Sequence, residues 1–493
     1  MAATHAPHAP PVLRPDGEIR PAVPVPGRER WSWALYDFAN TIFSMNIATL
    51  FFAVWFVSDL GGTNTQLSVA NSIASAMVAL SIPVLGAVSD ARRRRMPWII
   101  GFTIVAIVGT ALLGVLGHAT LPLVGENVVN GAPAGTPLPS PAALLPLLVM
   151  FVLANYAYQG AMPFYNAMLP ELAPPAEQGR LSGVGTALGY VGSIVGVVVG
   201  MTFMAGAIPG VLEMPAGFVG ALRSIVPFSS HGGRVGVFVP TALLFLLFSL
   251  PIFLFCRDHD PAPKGEPIRF AKAFEDLKAT LRDSKNHPGA RRFIITSLLY
   301  QDAMGTIIGV MALYAVKAVG FEGGLDTTLF LILTVPAVIG SYVLGHVCDR
   351  KGPKFTLSFV LLAWIVLLVG MIAAPAVGRG MFWAMGVGIG LIFGGIATAE
   401  RPMMLSLVPD SEAGRYFGLM VLSARAAAIV GPLMWAAAVD GLMPFIGERA
   451  AYQAGLTTLT VAMVGAWWLL RGVPDPWKGR GEPGMTGERG PVA

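Results

Sequence analysis

Twelve runs of roughly 20 or more residues in which apolar side chains dominate constrain this chain more than any other feature. They lie near 32–57, 66–89, 97–117, 142–169, 181–207, 235–256, 293–316, 326–348, 355–376, 381–408, 416–440 and 450–471. A helix rises about 1.5 Å per residue, so about 20 residues cross the hydrocarbon core of a bilayer, and every run is long enough. Charged residues make up 12% of the chain, against roughly 25% in soluble domains, which identifies lipid as the solvent. The runs lack the alternation of outer-membrane barrels and are about twice the roughly 10 residues of a tilted strand. The expected fold class is an all-α integral membrane protein with twelve transmembrane helices.

The first 30 residues hold seven prolines and no apolar core of the kind a cleaved signal peptide needs. They are expected to be a disordered tail, as is 473–493. Between them the expected units are a six-helix bundle over 31–256, a linker over 257–291 and a second six-helix bundle over 292–472. In the linker, Phe270, Phe274, Leu277 and Leu281 recur at helical spacing among Lys272, Lys278, Arg282 and Lys285, which predicts an amphipathic helix lying on the membrane surface.

The net charge of +5 belongs to topology rather than to nucleic-acid binding. With both tails inside, the inner segments hold 26 Lys and Arg and the outer loops hold five, Arg223, Arg234, Lys317, Arg379 and Arg449. Basic residues concentrate on the cytoplasmic side of membrane proteins, so both termini are expected to be cytoplasmic, in the cell membrane. Cys256 and Cys348, the two cysteines, fall near the ends of spans and suggest neither a disulfide framework nor a metal cluster.

The two halves repeat each other. "GAVSD" at 86–90 ends the second span and "GHVCD" at 345–349 ends the eighth; seven residues separate Pro163 from Pro170 and Pro402 from Pro409. "GRLSG" at 179–183 matches "GRYFG" at 414–418, and thirteen residues beyond each stand Gly196 and Gly431. "LYDFANTI" near 35 corresponds to "LYQDAMGTI" near 299. Echoes in the same order mark a duplication, the construction on which many transporters rest.

A six-plus-six duplication with a glycine-aspartate-basic loop after the second helix of each half resembles the major facilitator superfamily. Gly345, Asp349, Arg350, Gly352 and Lys354 fit that loop closely; in the first copy Gly86, Asp90 and Arg92 to Arg95 fit, while Ala91 and Arg93 depart from it. Tyr36 to Asn40, Tyr165, Asn166, Leu169 to Leu172, Gly189, Tyr190 and Gly192 are similar to the autophagy-related vacuolar effluxers and their bacterial unknown-major-facilitator relatives. The resemblance implies secondary active transport by alternating access between the two bundles, with amino-acid efflux the activity of fungal members. It also implies that the fifth and eighth helices meet across the halves, through the glycine tracks Gly185, Gly189, Gly192, Gly196 and Gly200 and Gly340, Ser341 and Gly345. Small residues at such spacing let backbones approach.

Charge at the bilayer centre costs roughly 2.5 to 3.5 kcal/mol on insertion scales, so the charges inside the spans mark the site. Asp37 lies about 8 Å inside the cytoplasmic end of its helix and Glu400 and Arg401 about 12 Å, while Asp302 and Arg425 lie about 14 Å in. The expected substrate groups are Asn155, Tyr158, Gln159 and Tyr190 from the first half and Arg401 and Arg425 from the second, with arginine suited to a carboxylate. Asp302, then Glu400, are the expected proton-coupling acids, with sodium at Asp302 and Gln301 as the rival. Ion pairs Glu400–Arg425 or Asp302–Arg401, serving only to hold helices together, are the bland alternative. The expected gating groups are Asp37, Asn40, Asp90, Arg92, Asp349, Arg350, Arg180 and Arg415, with Asp37 pairing with Arg180 or the Arg92 to Arg95 cluster when the inner mouth closes.

No Gly-rich loop ends in Lys-Ser or Lys-Thr and no His-Glu-x-x-His occurs, so the chain is not expected to be an enzyme or to use a cofactor. The expected partners are a small polar solute such as an amino acid, co-transported protons and the lipid bilayer, for a monomer that exports its substrate. Export of amphipathic drug-like compounds, and a transport-silent scaffold or sensor working through 264–285, are the alternatives.

Overall fold

A computed structural model describes residues 25–124, 141–208, 212–230, 232–259, 288–321, 326–409, 412–475 and 477, with 12–13 and 19–20. Among them run twelve long helices. In the first half these are α1 (Gly27–Phe43, prolonged by π-helical Ser44–Leu50 and Trp55–Asp59), α2 (Asn64–Arg92), α3 (Met96–Val124), α4 (Pro141–Ala167), α5 (Gln178–Ala205) and α6 (Phe238–Phe255). The second half has α7 (Pro288–Tyr314), α8 (Asp326–Lys351), α9 (Pro353–Val377), α10 (Arg379–Leu407), α11 (Ala413–Ile446) and α12 (Glu448–Arg471). Nine helical runs among the described residues are long and apolar enough to cross a membrane. Among the described residues, strand is confined to two-residue ladders, Val12–Leu13 with Ile19–Arg20 and Ala207–Ile208 with Leu212–Glu213. The predicted amphipathic segment 264–285 lies outside the described residues.

Local chemistry sets the helix ends. Thr63 and Gln66 form a reciprocal capping box at the start of α2, and Arg93 closes it in the left-handed region at φ 47°. At the far end of α5, Gly206 takes φ 72°, a turn glycine makes at no steric cost.

The duplication governs packing. In the first half α1 packs on α5 and α6, α3 on α4 and α6, and α2 on α4; in the second, α7 packs on α11 and α12, α9 on α10 and α12, and α8 on α10. Each of these contacts has its counterpart, six positions on, in the other bundle. The contacts between bundles obey the same relation: α5 with α8 pairs with α2 with α11, and α5 with α10 pairs with α4 with α11. Large apolar groups such as Trp33, Phe52, Tyr165, Trp364 and Tyr416 fill the interiors, while Leu80, Ile225 and Phe445 face outward, as a bilayer requires.

The glycine track of α5 is divided between two neighbours. Gly179 and Gly183 meet α8: a Cβ on Gly183 would stand 2.6 Å from the Ser341 carbonyl and 2.9 Å from Gly345 Cα. Gly185, Gly189 and Gly196 instead face Asp37, Thr41 and Ile42 of α1, within their own bundle. The expected track is thus corrected: Gly185, Gly189, Gly192, Gly196 and Gly200 all face their own bundle, and α5 meets α8 through Gly179 and Gly183 instead, because a helix turns about 100° per residue and glycines outside the i, i+4 series fall on another face.

Candidate functional site

The interface between bundles is closed at the end carrying Arg92 to Arg95, here called the basic end. Asp90, in the last turn of α2, accepts hydrogen bonds from the backbone amides of Gly414 (3.1 Å) and Arg415 (2.8 Å) at the start of α11. Its counterpart Asp349, near the end of α8, accepts from the amide of Arg180 (3.0 Å) at the start of α5. A helix start offers amides without intrahelical partners and the positive end of the dipole, so each carboxylate of one half caps a helix of the other. Close approach makes this possible at Gly86, where an added Cβ would lie 2.7 Å from the Gly414 carbonyl. Arg180 and Arg415 therefore contribute main-chain amides. Their guanidinium groups lie 3.5 Å from Glu177 and 3.9 Å from Glu412 of their own segments. Arg92 and Arg350 are exposed to solvent.

Deeper in, the halves are joined by a buried ion pair. Arg401 Nη2 of α10 is 3.0 Å from Asp37 Oδ2 of α1, and both residues are buried. The guanidinium carbon stands 5.7 Å from the Trp33 ring and 5.4 Å from Tyr165, which stack on each other with centroids 4.4 Å apart. Trp33 is fixed by its indole N–H, which donates to the Tyr165 carbonyl at 3.0 Å. This box holds a delocalised cation by charge and by ring quadrupole together. Among the described residues, Arg401 Nη1 is buried without a hydrogen-bond partner.

The expected pairing of Asp37 with Arg180 or Arg92 to Arg95 is thus corrected: Asp37 points into the bundle and takes Arg401. The sequence held a usable signal. Both residues lie at similar depth from the basic end, about 8 and 12 Å, but linear order does not show that α1 and α10 face each other.

The remaining acids are also placed differently from the alternatives read in the sequence. Glu400 accepts from the Tyr300 hydroxyl at 2.9 Å and from Gln301 Nε2 at 2.5 Å. Asp302 accepts from the Gly431 amide of α11 at 2.8 Å, so no Asp302–Arg401 pair forms. The Arg425 side chain, and with it a Glu400–Arg425 pair, lies outside the described residues. Asp302 and Gln301, proposed together for sodium, point to different partners.

In the first half Gln159 donates to Asn155 at 2.9 Å and Asn155 to Asn71 of α2 at 3.0 Å, a polar ladder that sequence reading missed at Asn71. Tyr158 stacks on Phe43 with centroids 4.9 Å apart, and Asn40 Nδ2 lies 2.8 Å from Met162 Sδ. Tyr190 crosses the interface to Phe393 of α10, the helix that carries Arg401, with 5.8 Å between ring centroids. Of the residues expected to meet substrate, Tyr190 and Arg401 are thus brought to the same interface. Cys256 and Cys348 are buried and free.

Twelve helices in two repeated bundles, closed at one end by paired carboxylate caps and holding a buried ion pair, define a membrane transporter that alternates access. The chain belongs to the Major Facilitator Superfamily, whose model matches residues 36–432 and 295–491. It is 23% identical over 414 residues to the uncharacterized MFS-type transporter YxiO of Bacillus subtilis (strain 168), covering 82% of this chain and 86% of that protein. It is 23% identical over 323 residues to the multidrug resistance protein MdtG of Serratia proteamaculans (strain 568), covering 64% and 68% of the two chains. The fold is similar to the transporter FucP in the outward conformation, with TM-score 0.64 at 14% identity over 91% of this chain and 98% of that one. A bacterial homologue of the iron transporter ferroportin in an outward-facing state gives TM-score 0.64 at 13% identity over 90% and 98%. The protein is accordingly a multi-pass membrane transporter of a small-molecule substrate and not an enzyme.

Proposed function

We propose that the chain is a secondary active transporter of a small polar solute bearing a carboxylate, of which an amino acid or related metabolite leaving the cytoplasm is the preferred case. One observation carries this reading: Arg401 is paired with Asp37 across the two halves, in an aromatic box, and keeps an unpartnered Nη1 donor. A planar guanidinium matches a carboxylate in two-point contact, so a substrate carboxylate is the natural competitor of Asp37. Binding at Arg401 would release Asp37 and with it the tie between α1 and α10, and that links occupancy to opening. Asp302 is proposed as the coupling acid, and the basic end as the cytoplasmic end, the latter supported by the 26-to-5 charge asymmetry.

Export of amphipathic drug-like compounds is the second reading. It is favoured by the MdtG relatives, whose name states multidrug resistance, and by the aromatic groups about Arg401. Uptake into proteoliposomes across a panel of amino acids, other carboxylates, neutral metabolites and lipophilic cations separates the two. Counterflow confined to carboxylates and lost in Arg401→Gln supports the first reading; transport of lipophilic cations that survives Arg401→Gln overturns it in favour of the second.

A further inference from the structure

The residues that follow α6 meet three other segments at the basic end, beyond the membrane spans. His259 stands between two carboxylates: its Nε2 is 3.2 Å from Glu29 Oε2 at the start of α1, and its Nδ1 is 3.8 Å from Glu171 Oε2 in the short helix Leu169–Leu172. The other oxygen of Glu171 pairs with Arg95 Nη1 just before α3, and Arg95 Nη2 lies 3.9 Å from Asp90. Neighbouring Asp258 accepts from the amides of Arg95 and Met96 at 2.7 and 3.0 Å. Cys256 Sγ donates to the Glu29 carbonyl at 3.3 Å. The segment that begins the connection between the halves is thereby pinned to α1, to the turn after α2 and to the turn after α4.

A neutral imidazole has one N–H and one lone pair, so between two carboxylates one nitrogen would present its lone pair to an anion. The imidazolium donates from both nitrogens and satisfies both. The Glu171 carboxylate, the largest influence, raises the His259 pKa above its ordinary value, the charge of Glu29 and the Arg257 carbonyl add to this, and burial opposes it. Of the cations about the group, Arg95 is engaged by Glu171 and by Asp90, and Arg30 donates to the Leu172 carbonyl and pairs with Glu177.

We propose that His259 is a regulatory proton site, an imidazolium that clamps the first residues of the inter-half connection onto Glu29 and Glu171 and lets them go when the proton leaves. It is separate from Asp302, the acid proposed for coupling, and does not depend on the identity of the substrate. The folded-state value is raised, so the clamp is fully formed below the ordinary histidine pKa of about 6.5 and is lost as pH rises through the elevated folded value. Acid on the basic side adds the two histidine contacts to those of Asp258 and Cys256 and tightens the segment, and alkali removes them, loosening it and leaving Glu171 to Arg95 alone.

Amide exchange of the full chain in lipid nanodiscs, read for residues 256–259 and corrected for the intrinsic pH dependence of exchange, tests the site between about pH 5.5 and 8.5, the range in which histidine switches. Protection in the wild type should fall with rising pH, by about tenfold for each unit by which the clamp raises the imidazole pKa. His259→Asn should lack protection at every pH, His259→Lys should keep it throughout, and Glu29→Gln, which retains the histidine, should move the fall to lower pH. Protection that is flat with pH in the wild type, or a fall that persists unchanged in His259→Asn, overturns the proposal. A fall that Glu29→Gln leaves in place removes Glu29 from the clamp and overturns it in the form stated.

Discussion

Replacing Arg401 by Gln should unlatch the basic end. The substitution leaves Asp37 buried beside Trp33 and Tyr165 without its cation, and breaking one partner of a buried pair costs about 3 to 5 kcal/mol. The penalty falls on the closed state alone, because opening the halves hydrates Asp37. At about 1.4 kcal/mol per factor of ten, the closed-to-open ratio should drop by roughly two to three and a half orders of magnitude. Ser182 of α5 reports the change, being fully buried and donating to the Ala397 carbonyl of α10 at 3.4 Å. With Cys256 and Cys348 replaced by Ser, a Ser182→Cys label site should react slowly with maleimide in an otherwise wild-type background and much faster with Arg401→Gln. Adding Asp37→Asn removes the stranded charge and should restore most of the slow rate, since two neutral amides fit where the ion pair was. If Arg401→Gln labels at the wild-type rate, or the double variant is as reactive as the single one, the pair is not a latch and the substrate-release argument falls with it.

Asp90→Asn and Asp349→Asn should each slow turnover while leaving substrate affinity in detergent nearly unchanged, each losing charge-assisted hydrogen bonds of about 1.5 to 3 kcal/mol; loss of binding in a folded variant would put the aspartate in the substrate site instead. Cysteines at Ser58 and Ser284 should label from opposite faces of intact cells, Ser58 from outside, and labelling of both from outside would reverse the topology. Accumulation should follow an imposed pH gradient without sodium, and Asp302→Asn should abolish that accumulation yet spare counterflow exchange. Sodium-dependent accumulation, or an Asp302→Asn protein that still concentrates substrate, would assign coupling elsewhere.

Hydrophobic length, charge asymmetry and the ordered echoes between residues near 35 and 299, 86 and 345, and 179 and 414 made the twelve-helix duplicated architecture legible, because in lipid each helix satisfies its own backbone and declares itself locally. The same echoes located Asp90 and Asp349, whose motif is a matter of spacing within one turn. Which groups those carboxylates bind was not legible: that they cap α11 and α5 through amides, rather than pair with guanidinium groups, depends on how two bundles meet. The Asp37–Arg401 pair is the clearest case. Its members are 364 residues apart on helices whose facing is set by packing between the halves, so depth could be computed from the sequence and partnership could not. Glu400 and Asp302 show the same limit, since each is satisfied by a neighbour, Tyr300 or the Gly431 amide, that only the rotation of its helix selects. A membrane chain writes its spans and their order in one dimension, whereas the partners of its buried charges are fixed by the azimuth and register of each helix, and those exist only once the bundles have closed on one another.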